Sequence, residues 1–352
     1  MSSRRVTMAD VARRAGVSRT AASFVLSGRT DMRIAEATQK RIHQAARELG
    51  YRPNLTARSL RTSVTSTFAL ISDTIATTAY AGQVIHGALD AATAQGRVLL
   101  VAETQGDPVA EARLVEGMLD RQVDGFVYAA MFTHEVTPPS ALRNHPVVLL
   151  NCLADDFPAA SVIPDEYAAG CLAAQTLLGA GHREGIYVLG GRHAIPETPS
   201  GVFAGRERVS GIETVLSSAG VRLAGVVECD WQPQDGYREL RELLSRHRPR
   251  ALICCNDRLA LGAYQALAEV SLSVPQDVSV ISFDDSDLAS WLRPRLTSIA
   301  LPHYDLGRRA VELLLSDQLA PVRHRIPMPL RLRASVAPIT SAPGSQQAVR
   351  ER

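Results

Sequence analysis

The sequence predicts a two-part protein: an all-α helix-turn-helix head with a hinge helix, then a two-lobed α/β body with parallel sheets. Three observations predict it. Helical periodicity with turn and capping signals fills the first ~60 residues. Charge divides sharply near residue 62, and beyond residue 63 apolar strand-like runs alternate with helical stretches. At 352 residues and 46% hydrophobic content, the chain is too long for one ordinary core. A head of ~60 residues and two lobes of ~130 fit domain-size expectations.

In the head, Met8, Val11 and Ala12 recur at i, i+3 and i+4, as an amphipathic helix requires. Ala15-Gly16-Val17-Ser18 interrupts this with a tight-turn signature, and the Ser18 hydroxyl is placed to cap a second helix running to about Leu26. Ala22, Val25 and Leu26 share its buried face, which leaves Arg19, Thr20, Ser23 and Phe24 pointing outward. Two short helices joined by a glycine-containing turn place the second in the major groove, with its first side chains against base edges. A third helix over 35–49 packs across both through Ile42, Ala45, Ala46 and Leu49.

A helical hairpin from a larger core shares so short a pattern, and charge separates the two readings. Residues 1–62 carry 13 Lys+Arg against 4 Asp+Glu, a net +9. The remainder carries 25 against 32, a net −7, and together they give the chain's +2. A basic head on an acidic body points to a polyanion partner for the head, because neutralising phosphates releases counterions. After the head, Arg52-Pro53-Asn54 can start a short hinge helix over about 53–61. Alone, two turns are marginal in water, so this helix is expected to fold on DNA.

In the body, strands are expected at 68–71, 98–102, 125–129, 147–151, 185–189, 226–229, 251–255 and 278–283, with a short apolar segment at 161–163. Helices are expected at 80–93, 108–121, 167–178, 206–218, 235–246 and 257–268. Repeated β-α units with near-continuous apolar strands imply parallel sheets covered on both faces. Ligands in such folds bind beyond the carboxyl ends of strands, and with two lobes the natural site is the cleft between them. Polar residues collect at those ends: Asp73, Asn151, Asp165, Asn256-Asp257 and Asp284-Asp285. Carboxylates and amides there can grip hydroxyl groups, Trp231 can supply an apolar plane for a sugar face, and Arg208 can add a charged donor. Each Asp or Asn is also a favoured cap or turn residue; their common location points to a ligand. Arg208, near a helix start where the dipole disfavours a cation, needs a carboxylate or ligand partner, and Asp284 is the expected one.

From Thr7 to Arg61, DVARRAGVS, the VLSG segment and ELGYRPNLTARSLR occur in the order of the lac repressor (LacI) family of bacterial regulators, which the chain resembles. GHREGIYVLGG, RERVSGI, CCNDRLALGAYQAL, SVPQDVSVISFDDSDLASWLRPRLTSI and LGRRAVELLL extend the resemblance over nearly the whole chain. The resemblance implies a periplasmic-binding-protein-like body at 63–340 behind a DNA-binding domain at 1–62. It implies DNA contacts from Thr7, Ser18, Arg19, Thr20, Ser23, Phe24, Tyr51, Asn54, Ala57, Arg58 and Leu60. Leu60 corresponds to a leucine wedged between base steps by paired hinge helices. Effector contacts are implied for Asn151, Arg208, Trp231, Asn256 and Asp284, with Asp73 and Asp165 beside them. The implied function is a repressor, a homodimer or tetramer on a palindromic double-stranded DNA operator, modulated by a small-molecule effector, a sugar or related polar metabolite.

The chain departs from the family pattern at four places. Phe24 stands where many relatives have a base-reading arginine, and Ala35 where a capping serine is common. The segment after Asp73 lacks Asn-Pro-Phe, and Asn151 replaces the usual aspartate.

Other functions lack their signatures. GxSxG, GxxxxGK[ST] and GxGxxG are all missing, which argues against an enzyme. The five cysteines have no CxxC spacing and are expected to be reduced packing residues. Nine histidines show no paired ligand spacing, so no metal or cofactor is expected. No apolar run reaches the ~18 residues of a membrane span, and the N-terminus has no apolar signal core; a cytoplasmic protein without a membrane partner is expected. A sugar-binding transport receptor would share the body but not the basic head. A ligand-responsive activator would differ from a repressor only in operator position. Residues 1–5 are expected to form a disordered basic arm and 341–352 a disordered tail.

Overall fold

Thr7 begins the first helix with a reciprocal capping box: its backbone N–H donates to the Asp10 carboxylate at 2.9 Å, and its Oγ1 accepts from the Asp10 N–H at 3.4 Å. The computed structural model describes residues 6–27, 34–51, 64–74, 82–191, 203–316 and 319–339. The chain divides into two units, Met1–Thr65 and Ser66–Arg352.

In the first unit, α1 (Met8–Ala15) ends on Gly16 at φ 66°, a left-handed conformation natural to glycine. Ser18 then caps α2 (Arg19–Leu26), its Oγ accepting from the Ala21 N–H at 3.1 Å. The third helix, α3 (Glu36–Glu48), has Ala35 at its N-cap and no side-chain cap bond. Val11, Ala12, Ala15, Ala22, Val25, Ile42, Ala45 and Ala46 form the shared core. Small alanines let three short helices approach closely, and Arg14 ties α1 to α3 through Glu48 at 2.8 Å.

The second unit holds two six-stranded sheets. In the first, the order is β11 (Arg323–Ile326), β5 (Ala160–Pro164), β4 (Val147–Leu153), β3 (Gly125–Glu135), β1 (Thr67–Ser72) and β2 (Val98–Glu103), all parallel. Alternation along β1 shows why its strands read as continuous apolar runs. Phe68 and Leu70 face one core, with α4 (Gly82–Ala94) and α11 (His303–Leu315), while Ala69 and Ile71 face another with α5 (Pro108–Asp120).

The second sheet runs β12 (Leu330–Arg331), β10 (Thr297–Ala300), β9 (Ser279–Asp284), β8 (Ala251–Cys254), β6 (Ile186–Leu189) and β7 (Gly225–Val227), with β12 antiparallel. One core joins it to α6 (Glu166–Gly179), α7 (Ala204–Ser218), α8 (Pro233–Arg246) and α9 (Asp257–Glu269). A five-residue helix, α10 (Asp287–Trp291), follows β9.

The chain passes between the lobes three times, after β5, after β10 and after β11. These crossings hold the lobes side by side with strand carboxyl ends facing one cleft. Three strands (β10, β11, β12) and two helices (α10, α11) had no counterpart in the expected elements. The 226–229 strand is shorter than expected, at Gly225–Val227, and β3 extends to Glu135 with a register irregularity between Ala129 and His134. No helix among the described residues is long and apolar enough to cross a membrane.

Candidate effector cleft and DNA-reading helix

The cleft is organised by a close helix crossing. A Cβ on Gly170 of α6 would lie 2.1 Å from the Arg208 carbonyl oxygen of α7, and one on Gly211 would lie 2.2 Å from the Tyr167 carbonyl oxygen. Only hydrogens fit there, so the backbones of α6 and α7 touch and side chains one turn away meet. Those side chains are Glu166 and Arg208, both almost wholly buried.

Arg208 donates from Nε to Glu166 Oε2 at 2.6 Å and from a terminal nitrogen to Oε1 at 3.0 Å, a two-bond fork. Its other terminal nitrogen donates to the Cys255 carbonyl. The guanidinium carbon lies 4.4 Å from the centre of the Phe283 ring and 5.3 Å from that of Trp231. Asp284, expected as the partner, is 4.0 Å away. The expectation is corrected: Glu166, beside the capping Asp165, is the principal counter-ion. It was missed because proximity between two helices 42 residues apart leaves no local sequence pattern.

Asp284 ends β9 at φ 103°, and Asn151, near the end of β4, sits at φ 57°. Non-glycine residues in this region are held by their surroundings and gather at binding sites. Behind Asp284, the buried Asp257 supplies the hold, accepting from the hydroxyls of Ser282, Ser298 and Ser286 and from the Ser286 N–H at 2.7 Å. Asp285 is fixed by Arg333 at 2.6 Å. Burial pushes the Asp284 carboxyl up to about 8; Arg208 opposes this, and Asp257 and Glu166 add to it.

A stability consequence follows for Asp284. An unfolded aspartate ionises near 3.8, so between about 4 and 8 the folded protein binds a proton that the unfolded chain has lost. Stability contributed by this group therefore falls as pH rises across that window and is flat above it. Relative to Asp284→Asn, the wild type should lose stability, on the order of a few kcal/mol, between pH 5 and pH 9. Urea unfolding at both pH values checks this; a pH-independent gap would mean that Asp284 is already ionised at pH 5.

The inter-lobe cleft encloses about 910 Å³, counting space open to solvent, and its lining includes Asn151, Arg208, Trp231, Asn256 and Asp284. Trp231 donates from Nε1 to the Gly190 carbonyl at 2.7 Å, which fixes the ring plane. Asn256 caps α9, accepting from the Leu259 N–H at 2.8 Å, and its amide nitrogen reaches the Trp231 carbonyl at 3.2 Å. The Asn151 amide binds the Ala130 and Met131 carbonyls and accepts from the Thr133 hydroxyl, so it shapes the end of β3. Glu166, Arg258, His303 and Phe132 join the lining without having been expected.

Asp73 and Asp165 are not in this lining. Asp73 accepts from the N–H groups of Thr74 and Met131 and borders a separate hollow between β1, β3 and α5. Asp165 caps α6, accepting from the Ala168 N–H at 3.3 Å; Arg325 of β11 stands 3.6 Å from both Asp165 and Glu207 of α7. The pair to Glu207 links the two lobes.

On α2, Arg19, Thr20 and Ser23 are exposed and Phe24 is half-buried. Thr7 and Ser18 are engaged as helix caps, and Tyr51 packs against the head core. Asn54, Ala57, Arg58 and Leu60 lie outside the described residues.

A helix-turn-helix head followed by a two-lobed α/β body with a polar cleft between its lobes defines the class of ligand-responsive DNA-binding regulators. Comparisons with known proteins agree. Residues 7–54 match the model of bacterial regulatory proteins of the lacI family, and 174–336 match that of a periplasmic binding protein-like domain. The ribose operon repressor of Escherichia coli K12 is 31% identical over 346 residues, covering 96% of this chain and 99% of the repressor. The sucrose operon repressor of Shigella flexneri is 33% identical, covering 94% of this chain and 99% of its own length. The solved lac repressor dimer bound to operator and an anti-inducer superposes with a TM-score of 0.74 at 25% identity, covering 95% of this chain and all of that one. The chain belongs to the lacI family of bacterial regulatory proteins.

Proposed function

We propose that the protein is a transcriptional repressor whose heads, paired in a homodimer or tetramer, bind a palindromic operator, and whose inter-lobe cleft takes a carbohydrate effector that alters operator affinity. The observation that carries this reading is that Arg208, Asp284, Asn256 and the fixed ring of Trp231 line one cleft, with the Arg208 guanidinium 5.3 Å from the ring centre. Polar groups that bond hydroxyls beside an aromatic plane suit a sugar. Relatives named as ribose and sucrose operon repressors, and the similar solved regulator in complex with cellobiose, support it. In this reading 1–62 binds DNA, 63–340 senses and dimerises, Leu60 wedges between base steps, and the protein works in the cytoplasm without catalysing a reaction.

Binding-site selection followed by footprinting tests the DNA half. Protection should span two symmetric half-sites; a monomer protecting one isolated half-site contradicts the proposal. Arg19→Ala should cost about 1–3 kcal/mol on the selected site and relax preference at one base position per half-site. Equal weakening on all sequences would make Arg19 a phosphate contact instead.

A further inference from the structure

We infer that the buried Glu166–Arg208 pair restricts the effector to an uncharged polyhydroxy compound and excludes its phosphate esters, Glu166 being the residue that sets this selectivity. The inference rests on the reading of the cleft as an effector site and narrows it.

Among the described residues, the ionisable groups lining the cleft are Arg208, Arg258, Glu166, Asp284 and His303. Burial holds the His303 imidazole down to about 4, so it is neutral near pH 7. The two guanidiniums face the Glu166 carboxylate and the Asp284 carboxyl, and Arg258 donates to the Gln232 amide oxygen at 3.3 Å. Of these two cations Arg208 is the more deeply set, 1% exposed, and it is the one beside Trp231 and Asp284.

That guanidinium is already committed. Of its five N–H bonds, two go to Glu166 and one to the Cys255 carbonyl. Two remain, one on each terminal nitrogen, enough to donate to neighbouring hydroxyls. A phosphate placed against them would lie beside the Glu166 carboxylate and the Asp284 carboxyl 4.0 Å from Arg208. Displacing Glu166 to make room would leave a buried carboxylate without its counter-ion, which costs more than the new contact supplies. A neutral diol pays neither penalty: it accepts from Arg208 and exchanges hydrogen bonds with Asp284 while both ion-pair bonds to Glu166 persist. The Trp231 face then covers the apolar side of the ring.

The test compares wild type with Glu166→Gln, which keeps the side-chain shape and removes the charge. Isothermal titration calorimetry with inorganic phosphate at constant ionic strength should show no binding to wild type at millimolar concentration, and a gain of at least about tenfold in affinity for the variant. Equal phosphate affinity in both proteins, or no gain in the variant, overturns the inference. A second arm uses wild type alone, so it survives a variant that fails to fold. Ribose, glucose and their phosphate esters are added to an operator-binding assay, and a phosphate ester that acts at lower concentration than its parent sugar also overturns it. If neither sugars nor esters change operator binding, the carbohydrate-effector reading fails, while the phosphate titration still decides the role of Glu166.

Discussion

Arg208→Ala should destabilise the body by about 3–5 kcal/mol, because truncating one partner of a buried ion pair strands the other. Glu166 is almost wholly buried, and Arg208 donates to both of its carboxylate oxygens, at 2.6 and 3.0 Å. The lost contacts with the Phe283 and Trp231 rings add to the cost. Replacing both partners with apolar side chains, Arg208→Met with Glu166→Leu, should recover much of the loss, since no stranded charge remains. Urea unfolding of wild type, single and double variants measures this directly. A single-variant loss below about 1 kcal/mol would mean that Glu166 is solvated or protonated once Arg208 is gone.

The second large effect belongs to the helix crossing that brings those side chains together. In Gly170→Ala the added Cβ would stand 2.1 Å from a backbone oxygen that no rotamer change can move. The helices must separate, at a cost of about 1–3 kcal/mol or more, and Glu166 and Arg208 separate with them. Gly179→Ala, at the end of the same helix with nothing within 4 Å of the new methyl, is the matched control and should be neutral or slightly stabilising. Thermal unfolding of the two variants should differ clearly. Equal melting temperatures would show that α6 and α7 can part without loss.

Much of this architecture was legible because local chemistry dictated it. Gly16 and Ser18 announced the turn and the cap of the head, and both perform those roles at Gly16 φ 66° and Ser18 Oγ. The buried strands β1, β4, β8 and β9 read as apolar runs because each faces cores or helices on both sides. Two of the missed strands were of another kind. β11 and β12 are short edge strands, half-exposed and arginine-rich, and they exist through pairing with distant β5 and β10 rather than through their own pattern.

The same distinction holds in the cleft. Asn151, Arg208, Trp231, Asn256 and Asp284 were found from strand ends and family resemblance, and all five line it. Asp73 and Asp165 share those sequence features yet stand elsewhere, capping or bridging backbone. Glu166 escaped notice because its importance depends on Gly170 and Gly211, which carry no charge and bind nothing.

Fluorescence anisotropy on a selected palindromic operator reads whether occupancy of the cleft sets the affinity of the heads for DNA. Wild type and Asp284→Asn are titrated across a panel of uncharged mono- and disaccharides. At least one sugar should change wild-type operator affinity by about 5- to 150-fold, the range of ordinary allosteric coupling, and the change should shrink markedly in Asp284→Asn while its sugar-free affinity stays normal. Operator affinity that is constant across the panel, or a sugar response equal in the two proteins, would show that the cleft does not control DNA binding.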